Sequence, residues 1–135
     1  MARATGDTHD NVRYNVARIR TQRRLSLRDL AALMPPGPGA LSHSSIGEIE
    51  RGVRRCDVDE LTALSITLDV SPIALLMPYT ETVNEEVGVT GLRHVVGARW
   101  VLDWLRGDGP IEPERAVDEH EVESFRRRSL PHWAW

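Results

Sequence analysis

The stretch "LRDLAALMPPGPGALSHSSIGEIERG", Leu27 to Gly52, decides the fold of the first half of the chain. Its first seven residues place leucine and alanine at helical spacing. The run from Pro35 to Gly39 ends that pattern, because proline lacks an amide donor and restricts the residue before it. A second helical pattern begins near Ser42, where Ile46 and Ile49 lie three positions apart. The sequence therefore predicts two short helices joined by a long, stiff loop.

Three more helices are predicted around this pair. Apolar residues from Val12 to Ile19 repeat every three to four positions and predict a first helix that begins after Asn11. Residues able to cap helix N-termini precede the second, fourth and fifth helices: Ser26 with Asp29, Asp57 with Glu60, and Ser71 before Pro72. Five helices before residue 79 predict an all-α domain.

Composition divides the chain into four segments. A small, polar start predicts a flexible arm, and the five helices form the main domain. Beyond them, a polar stretch predicts a linker, and helical patterns up to Gly107 and from about Asp118 predict a smaller, mainly helical C-terminal extension for packing or dimerisation. The predicted boundaries are 1–10, 11–78, 79–91 and 92–135.

Several classes of protein are excluded by what the sequence lacks. Cys56 is the only cysteine, so neither an internal disulfide nor a cysteine-rich zinc site is expected. The five histidines are scattered without metal-ligand spacing, and no glycine-rich phosphate loop is present. We therefore expect no metal, no cofactor and no enzymatic activity. No apolar run reaches the ~18 residues of a membrane span and Met1 to Asn15 lacks a signal-peptide centre, so a cytoplasmic protein is expected.

Charge is unevenly distributed along the chain. All seventeen basic residues are arginines. The segment from Asn11 to Cys56 contains nine arginines and only three acidic residues, whereas the segment from Tyr79 onward contains seven arginines and eleven acidic residues. A basic half in an otherwise acidic protein is typical of a partner with a phosphate backbone, although charge alone fits a solvated arginine-rich face equally well.

The residues after the loop favour a nucleic-acid partner. A helix that enters the DNA major groove presents its first turn to base edges while its other face packs on the domain. Polar residues from Ser42 to Glu48 supply the first requirement, and Ile46 and Ile49 supply the second. Arg51, which follows directly, is placed to bind a flanking phosphate.

The ordered set of motifs "LSLRDLA" (25–31), "SHSSIGEIERG" (42–52) and "DVDELTALSITLDVSP" (57–72) resembles the lambda-repressor-like (Cro/cI-type, XRE) helix-turn-helix regulators. The resemblance covers about Val12 to Pro78. It implies a five-helix domain that binds double-stranded operator DNA as a homodimer. It places base-reading side chains at His43, Ser44 and Glu48, with Ser42 and Ser45 nearer the DNA backbone. From their positions near the two helices, we also predict that Gly47 lies at the base edges and that five arginines contact the backbone: Arg24, Arg28, Arg51, Arg54 and Arg55. The resemblance also implies a structural ion pair between Arg20 and Glu50.

This chain departs from the family pattern at two places. Leu27 stands where the family usually has a glutamine that binds phosphate, which puts that contact in doubt. The interval from Ala31 to Ile46 is five residues longer than is usual, and the extra residues are the Pro/Gly loop. We expect the loop to bulge outward rather than to lie on the DNA backbone.

Two functions follow from the sequence. The first is a sequence-specific transcriptional regulator, a repressor, that reads the major groove with the helix around 42–51 and associates with the nucleoid when bound. The second is a helix-turn-helix protein that acts mainly through protein–protein contacts, as an antitoxin or phage anti-regulator would. The extension holds five of the seven aromatic residues, which either pack on the domain or form an interface: Trp100, Trp104, Phe125, Trp133 and Trp135.

Overall fold

The computed structural model describes residues 5–135 and divides into two compact units, the first ending at Leu76 and the second spanning Met77–Trp135. The first unit contains α1 (Asp7–Gln22), α2 (Leu27–Leu33), α3 (His43–Glu50), α4 (Val58–Thr67) and α5 (Pro72–Leu76). This is the predicted five-helix, all-α architecture. Helices α2 and α3 pack against each other, and α1 packs against both α3 and α5.

The core of the first unit draws apolar side chains from all five helices. It consists of Val12, Val16, Ile19, Leu30, Met34, Leu41, Ile46, Ile49, Leu64, Leu68 and Leu75. Burying one such side chain stabilises a fold by roughly 1.5–3 kcal/mol. Polar residues are buried in this unit as well, and one of them, Asn15, is fully buried and donates from its side-chain amide to the Leu75 carbonyl at 2.9 Å. That bond satisfies a buried donor and ties α1 to α5.

The predicted caps of α2 and α4 are present. The Asp29 amide donates to Ser26 Oγ at 3.0 Å, and the Ser26 amide donates to the Asp29 carboxylate at 2.9 Å. In the same way, the Glu60 amide donates to the Asp57 carboxylate at 2.8 Å, and the Asp57 amide donates to the Glu60 carboxylate at 2.9 Å. Each N-cap stabilises its helix by about 0.5–2 kcal/mol, which matters for helices this short.

The start of α1 differs from the prediction. The helix begins at Asp7 with Gly6 at its N-cap, so residues 7–10 are helical and Asn11 is not a cap. Asp7 and Asp10 lie in the first turn, where carboxylates interact favourably with the positive end of the helix dipole. The apolar pattern could not indicate this turn, because it is polar. Residues 1–4 of the predicted arm lie outside the described residues.

The loop between α2 and α3 is only partly an outward bulge. The four residues from Pro35 to Pro38 are exposed, as expected. Gly39, however, has φ +86° and lies so close to α4 that a Cβ there would be 2.7 Å from the Asp59 carbonyl oxygen. Leu41 then enters the core. The second half of the loop is therefore packed on α4, because a buried leucine holds it there.

The second unit contains a two-stranded antiparallel sheet and three helices. Strands β1 (Glu86–Val87) and β2 (Val96–Gly97) pair with Glu86 opposite Gly97, and α6 (Ala98–Leu105), α7 (Pro113–Ala116), α8 (Glu119–Ser129) and a 3₁₀ turn (His132–Ala134) follow. The predicted linker, 79–91, thus contains a strand and the buried Val89, and it belongs to this unit. The last charged helix begins after Asp118, as predicted, with the Asp118 carboxylate as its cap.

Candidate nucleic-acid interface

Helix α3 begins with a hydroxyl cap. Ser42 Oγ accepts from the Ser45 amide at 3.1 Å and donates to Ser45 Oγ at 3.0 Å. Both predicted backbone-contact serines therefore bond to each other at the N-terminus of α3. Their first role is to fix where the helix starts, and any phosphate contact would be added to it.

The inner face of α3 is fixed by apolar packing and by one ion pair. Ile46 and Ile49 are 0% and 1% exposed. Arg20 on α1 donates from Nε and Nη2 to both oxygens of Glu50, at 2.7 and 2.8 Å, and from Nη1 to the Leu25 carbonyl at 2.7 Å. Hydrogen bonding to Glu50 raises the pKa of Arg20. The structure thus brings together the two residues that the resemblance paired, and the pair joins α1 to α3.

The outer face of α3 carries the predicted base-reading side chains. Ser44, Glu48 and Arg51 are spaced at i, i+4 and i+7, which places them along one edge of the helix. Ser44 and Arg51 are exposed and Glu48 is half-buried. His43 is half-buried, with its Nε2 3.5 Å from Ser44 Oγ. Three side chains with donors and acceptors therefore share one accessible edge.

Gly47 has a packing role that was not predicted for it, and its predicted part in base reading stays a prediction. It is buried on the side of α3 that faces α2, and a Cβ at this position would lie 3.1 Å from Arg51 Nη1 and 3.4 Å from Leu27 Cδ1. A glycine has no side chain to read a base, and here it provides space. The sequence did not indicate this, because the contact depends on how α2 and α3 pack.

Arg54 is bound inside the first unit. Its guanidinium donates to both oxygens of Glu60, at 2.8 and 2.7 Å, and to the Arg55 carbonyl at 3.0 Å. Hydrogen bonding to Arg54 lowers the pKa of Glu60, which also belongs to the α4 capping box. The predicted phosphate contact of Arg54 stays a prediction, and it would have to compete with this internal ion pair. An arginine can bind either a carboxylate or a DNA phosphate. The sequence does not indicate the carboxylate partner, because that partner depends on where the fold places Glu60.

The remaining predicted backbone contacts lie on the surface. Arg24, Arg28 and Arg51 are exposed and form no ion pair with any residue between 5 and 135. Arg24 follows the end of α1 with φ +57°, and Arg28 lies in the first turn of α2. Arg55, in the segment between α3 and α4, is also exposed. Four cationic side chains thus surround the two helices of the motif.

Two residues of helix α1 contact Gly52, just beyond the end of α3, and no motif in the sequence indicates these contacts. His9 Nε2 lies 3.3 Å from the Gly52 carbonyl oxygen. The Arg13 side chain covers Gly52 itself, whose φ of +78° suits glycine. These contacts join positions more than thirty residues apart, so no local pattern could have revealed them.

The aromatic residues of the second unit differ widely in exposure. Trp133 is 86% exposed, whereas Trp100, Trp104 and Phe125 are half-buried. Trp135 donates from its indole to the Leu130 carbonyl at 3.1 Å, with the Arg127 guanidinium 5.1 Å from the ring centre. Of the five predicted interface residues, Trp133 therefore offers the largest accessible fraction.

Between residues 5 and 135, no three histidine, cysteine, aspartate or glutamate side chains are grouped so that they could hold a metal ion. None of the helices in this part of the chain is long and apolar enough to cross a membrane. Burial raises the pKa of the Cys56 thiol to about 12, which makes it a poor nucleophile or ligand near neutral pH.

The chain was compared with families, with curated proteins and with solved structures. No family model and no curated protein matches the chain. The crystal structure of the restriction-modification controller protein C.AhdI from Aeromonas hydrophila is similar to it, at 28% sequence identity and a TM-score of 0.44. The match covers 50% of this chain and 94% of that chain.

The order and packing of the helices decide the fold. Helices α2 and α3 pack as a pair, and the Arg20–Glu50 ion pair holds α3 against α1. This chain resembles the lambda-repressor-like helix-turn-helix regulators. The helix-turn-helix motif consists of α2, the long loop and α3, and the Pro/Gly loop lengthens its turn without removing either helix.

Proposed function

We propose that this helix-turn-helix protein is a sequence-specific transcriptional regulator that represses from operator DNA. The outer edge of α3 would lie in the major groove, where hydroxyl and carboxylate groups can distinguish base pairs. The observation that carries the proposal is the division of α3 into an inner face fixed by Ile46, Ile49 and Glu50 and an accessible edge bearing Ser44 and Glu48. A helix that reads DNA needs one face fixed to the domain and another face open to the bases.

The arginines around the motif support the same proposal. A phosphate backbone is bound chiefly by arginine and lysine side chains, which set orientation without reading sequence. Arg24, Arg28 and Arg55 are exposed near α2 and α3 and would serve as backbone contacts. Ser42 and Ser45 at the N-terminus of α3 would add hydroxyl or amide contacts. His43 would be a further base contact beside Ser44.

A homodimer fits this mode of binding, because two copies of a reading helix can occupy half-sites one turn of DNA apart. We propose that the second unit provides the dimer contact, with Trp133 as its most exposed aromatic residue. The protein would act in the cytoplasm and on the nucleoid, without a cofactor and without catalytic turnover.

The second candidate function is that of a helix-turn-helix protein whose main partner is another protein. The 86% exposure of Trp133 favours it, because a large exposed aromatic side chain is typical of contact surfaces. Under this alternative, the outer edge of α3 would have no base preference.

One set of measurements separates the two candidates. The full chain is incubated with random double-stranded DNA, bound sequences are selected, and affinity is measured between 50 and 200 mM salt, a range over which a protein with 6–10 phosphate contacts loses about 10³–10⁵ in affinity. We expect a defined, two-fold symmetric motif and a steep salt dependence, together with a dimeric molar mass by light scattering. A monomer without salt-sensitive DNA binding would contradict the regulator and support the protein-binding alternative.

A further inference from the structure

The Arg51 guanidinium lies beside α3 rather than beyond its end. Arg51 follows the last helical residue and keeps right-handed helical backbone angles, so its side chain leans back toward the N-terminus of the helix. One turn earlier is Gly47, and Arg51 Nη1 lies 3.1 Å from the point that a Cβ there would occupy. The guanidinium thus occupies space beside position 47 that a larger side chain would need.

The neighbours of the guanidinium leave its hydrogen-bond donors unused. Leu27 Cδ1, on the α2 side, lies 3.4 Å from the same Cβ point of Gly47 and offers no acceptor. Glu48 and Glu50 are close in sequence, but Glu50 is bound by Arg20 and Glu48 makes no ion pair with any residue between 5 and 135. No acceptor within that part of the chain binds Arg51, so its guanidinium donors are available to a partner.

The position of the Arg51 guanidinium decides whether it can contact base edges or the phosphate backbone of DNA. Ser44 and Glu48 line the same edge of α3, seven and three positions before Arg51. A guanidinium that lies along this edge faces base edges, whereas one that extends past the end of the helix would meet the backbone. Its planar fork of donors matches the O6 and N7 acceptors of guanine.

We infer that Arg51 is a specificity-determining residue that reads a guanine from the space beside Gly47, and is not a phosphate contact. The inference rests on the proposed function, and it replaces the backbone role expected for Arg51. It also explains the glycine at position 47, because the absence of a side chain there leaves room for the Arg51 guanidinium.

Two substitutions test the inference without removing a charge. Arg51→Lys keeps the positive charge but loses the bidentate fork. Gly47→Ala keeps Arg51 but adds a Cβ 3.1 Å from Nη1, so the guanidinium must shift by a few tenths of an ångström. Alanine is the better helix former, and Tm should stay the same or rise by about 4–8 °C. Arg28→Lys is the matched control, because Arg28 is exposed in the first turn of α2 and is proposed to bind phosphate.

The readout is base preference at each position in a selection from random double-stranded DNA, with salt dependence measured in parallel. We expect the wild type to prefer guanine at one position of each half-site. Arg51→Lys should reduce that preference about 5- to 150-fold, which corresponds to the 1–3 kcal/mol of a bidentate pair, and Gly47→Ala should reduce preference at the same position. Neither should change the salt slope. Arg28→Lys should leave every base preference unchanged.

Other outcomes would overturn the inference in ways that can be told apart. If the wild type selects a motif and neither Arg51→Lys nor Gly47→Ala alters it, while Arg51→Ala weakens all sequences equally and lowers the salt slope by about one, then Arg51 binds phosphate and the regulator proposal still stands. A Gly47→Ala variant with the wild-type preference also contradicts it, because the guanidinium would not act from beside Gly47. If the wild type selects no motif, the proposed function fails and the inference fails with it.

Discussion

The two faces of α3 are held in different ways. The inner face is bound to distant parts of the first unit, through the buried Ile46 and Ile49 and through Glu50, which pairs with Arg20 thirty positions earlier. On the outer face, the Ser44 hydroxyl lies 3.5 Å from Nε2 of the neighbouring His43, and no ion pair engages Glu48 within residues 5–135. One face of the helix therefore maintains the fold, and the other is available to a partner. Substitutions on the two faces should separate stability from DNA binding.

The largest effect is expected on the inner face at Ile46. This side chain is fully buried, and Ile46→Ala should lower the free energy of unfolding by about 2–5 kcal/mol, through lost apolar burial and the cavity left behind. Urea unfolding followed by circular dichroism measures it. Ile66→Ala is the matched control, because Ile66 is 72% exposed and its loss should cost less than ~0.5 kcal/mol. Equal losses in the two variants would contradict the described core.

The next effect is expected at the ion pair on the same face. The two side chains are 17% and 12% exposed, so Glu50→Ala leaves the Arg20 guanidinium poorly solvated and should cost about 1–3 kcal/mol. Breaking the exposed Arg127–Glu123 pair with Glu123→Ala should cost less than ~1 kcal/mol. A double-mutant cycle with Arg20→Met measures the coupling, and zero coupling would show that the pair does not fix α1 against α3.

A smaller effect is expected beside α3, at Arg54. Arg54→Met should lower the free energy of unfolding by about 1–2 kcal/mol, because Glu60 would lose its partner while remaining largely buried. The salt slope of DNA binding should not change. Arg28→Met should do the reverse, leaving stability within ~0.5 kcal/mol and lowering the slope by about one phosphate contact. A lowered slope in Arg54→Met would show that Arg54 contacts the backbone.

The stability that the Arg54–Glu60 ion pair contributes should depend on pH. Since Arg54 lowers the pKa of Glu60 in the folded protein, the unfolded chain binds more protons at this residue as the pH falls below the ordinary glutamate value of ~4.3. The stability that the pair contributes is complete above that value and is lost as the pH falls through the lowered pKa. The difference in stability between wild type and Arg54→Met should therefore be constant near neutral pH and shrink in acid.

The smallest change in stability is expected on the outer face. Glu48→Ala should leave the free energy of unfolding within ~0.5 kcal/mol of wild type, because Glu48 makes no ion pair with residues 5–135. Its effect should appear in DNA selection, as lost preference at one base pair, since a carboxylate can accept from cytosine N4. An unchanged motif would remove Glu48 from the set of reading residues.

What the sequence predicted depended on local signals. The reciprocal caps at Ser26 and Asp57 follow from spacing alone, because both partners lie within one helical turn. Family resemblance supplied the Arg20–Glu50 pair, which no spacing rule would give. The packing of Gly47 was not predicted, because its neighbours are set by how α2 and α3 pack. The ion pair of Arg54 was not predicted, because arginine suits phosphate and carboxylate alike. The two-residue strands of the second unit are too short to produce an alternating pattern.

The buried amide of Asn15 has a consequence for how the chain is made. Its acceptor, the Leu75 carbonyl, is 60 positions later, so the first helix is synthesised well before its partner exists. At the usual 5–20 residues per second, the wait lasts roughly 3–12 seconds. Helix α3 is synthesised within that interval, but the core beneath it cannot close until Leu75 has been added. A nascent chain stalled before Leu75 would therefore carry the complete helix-turn-helix sequence without a finished domain.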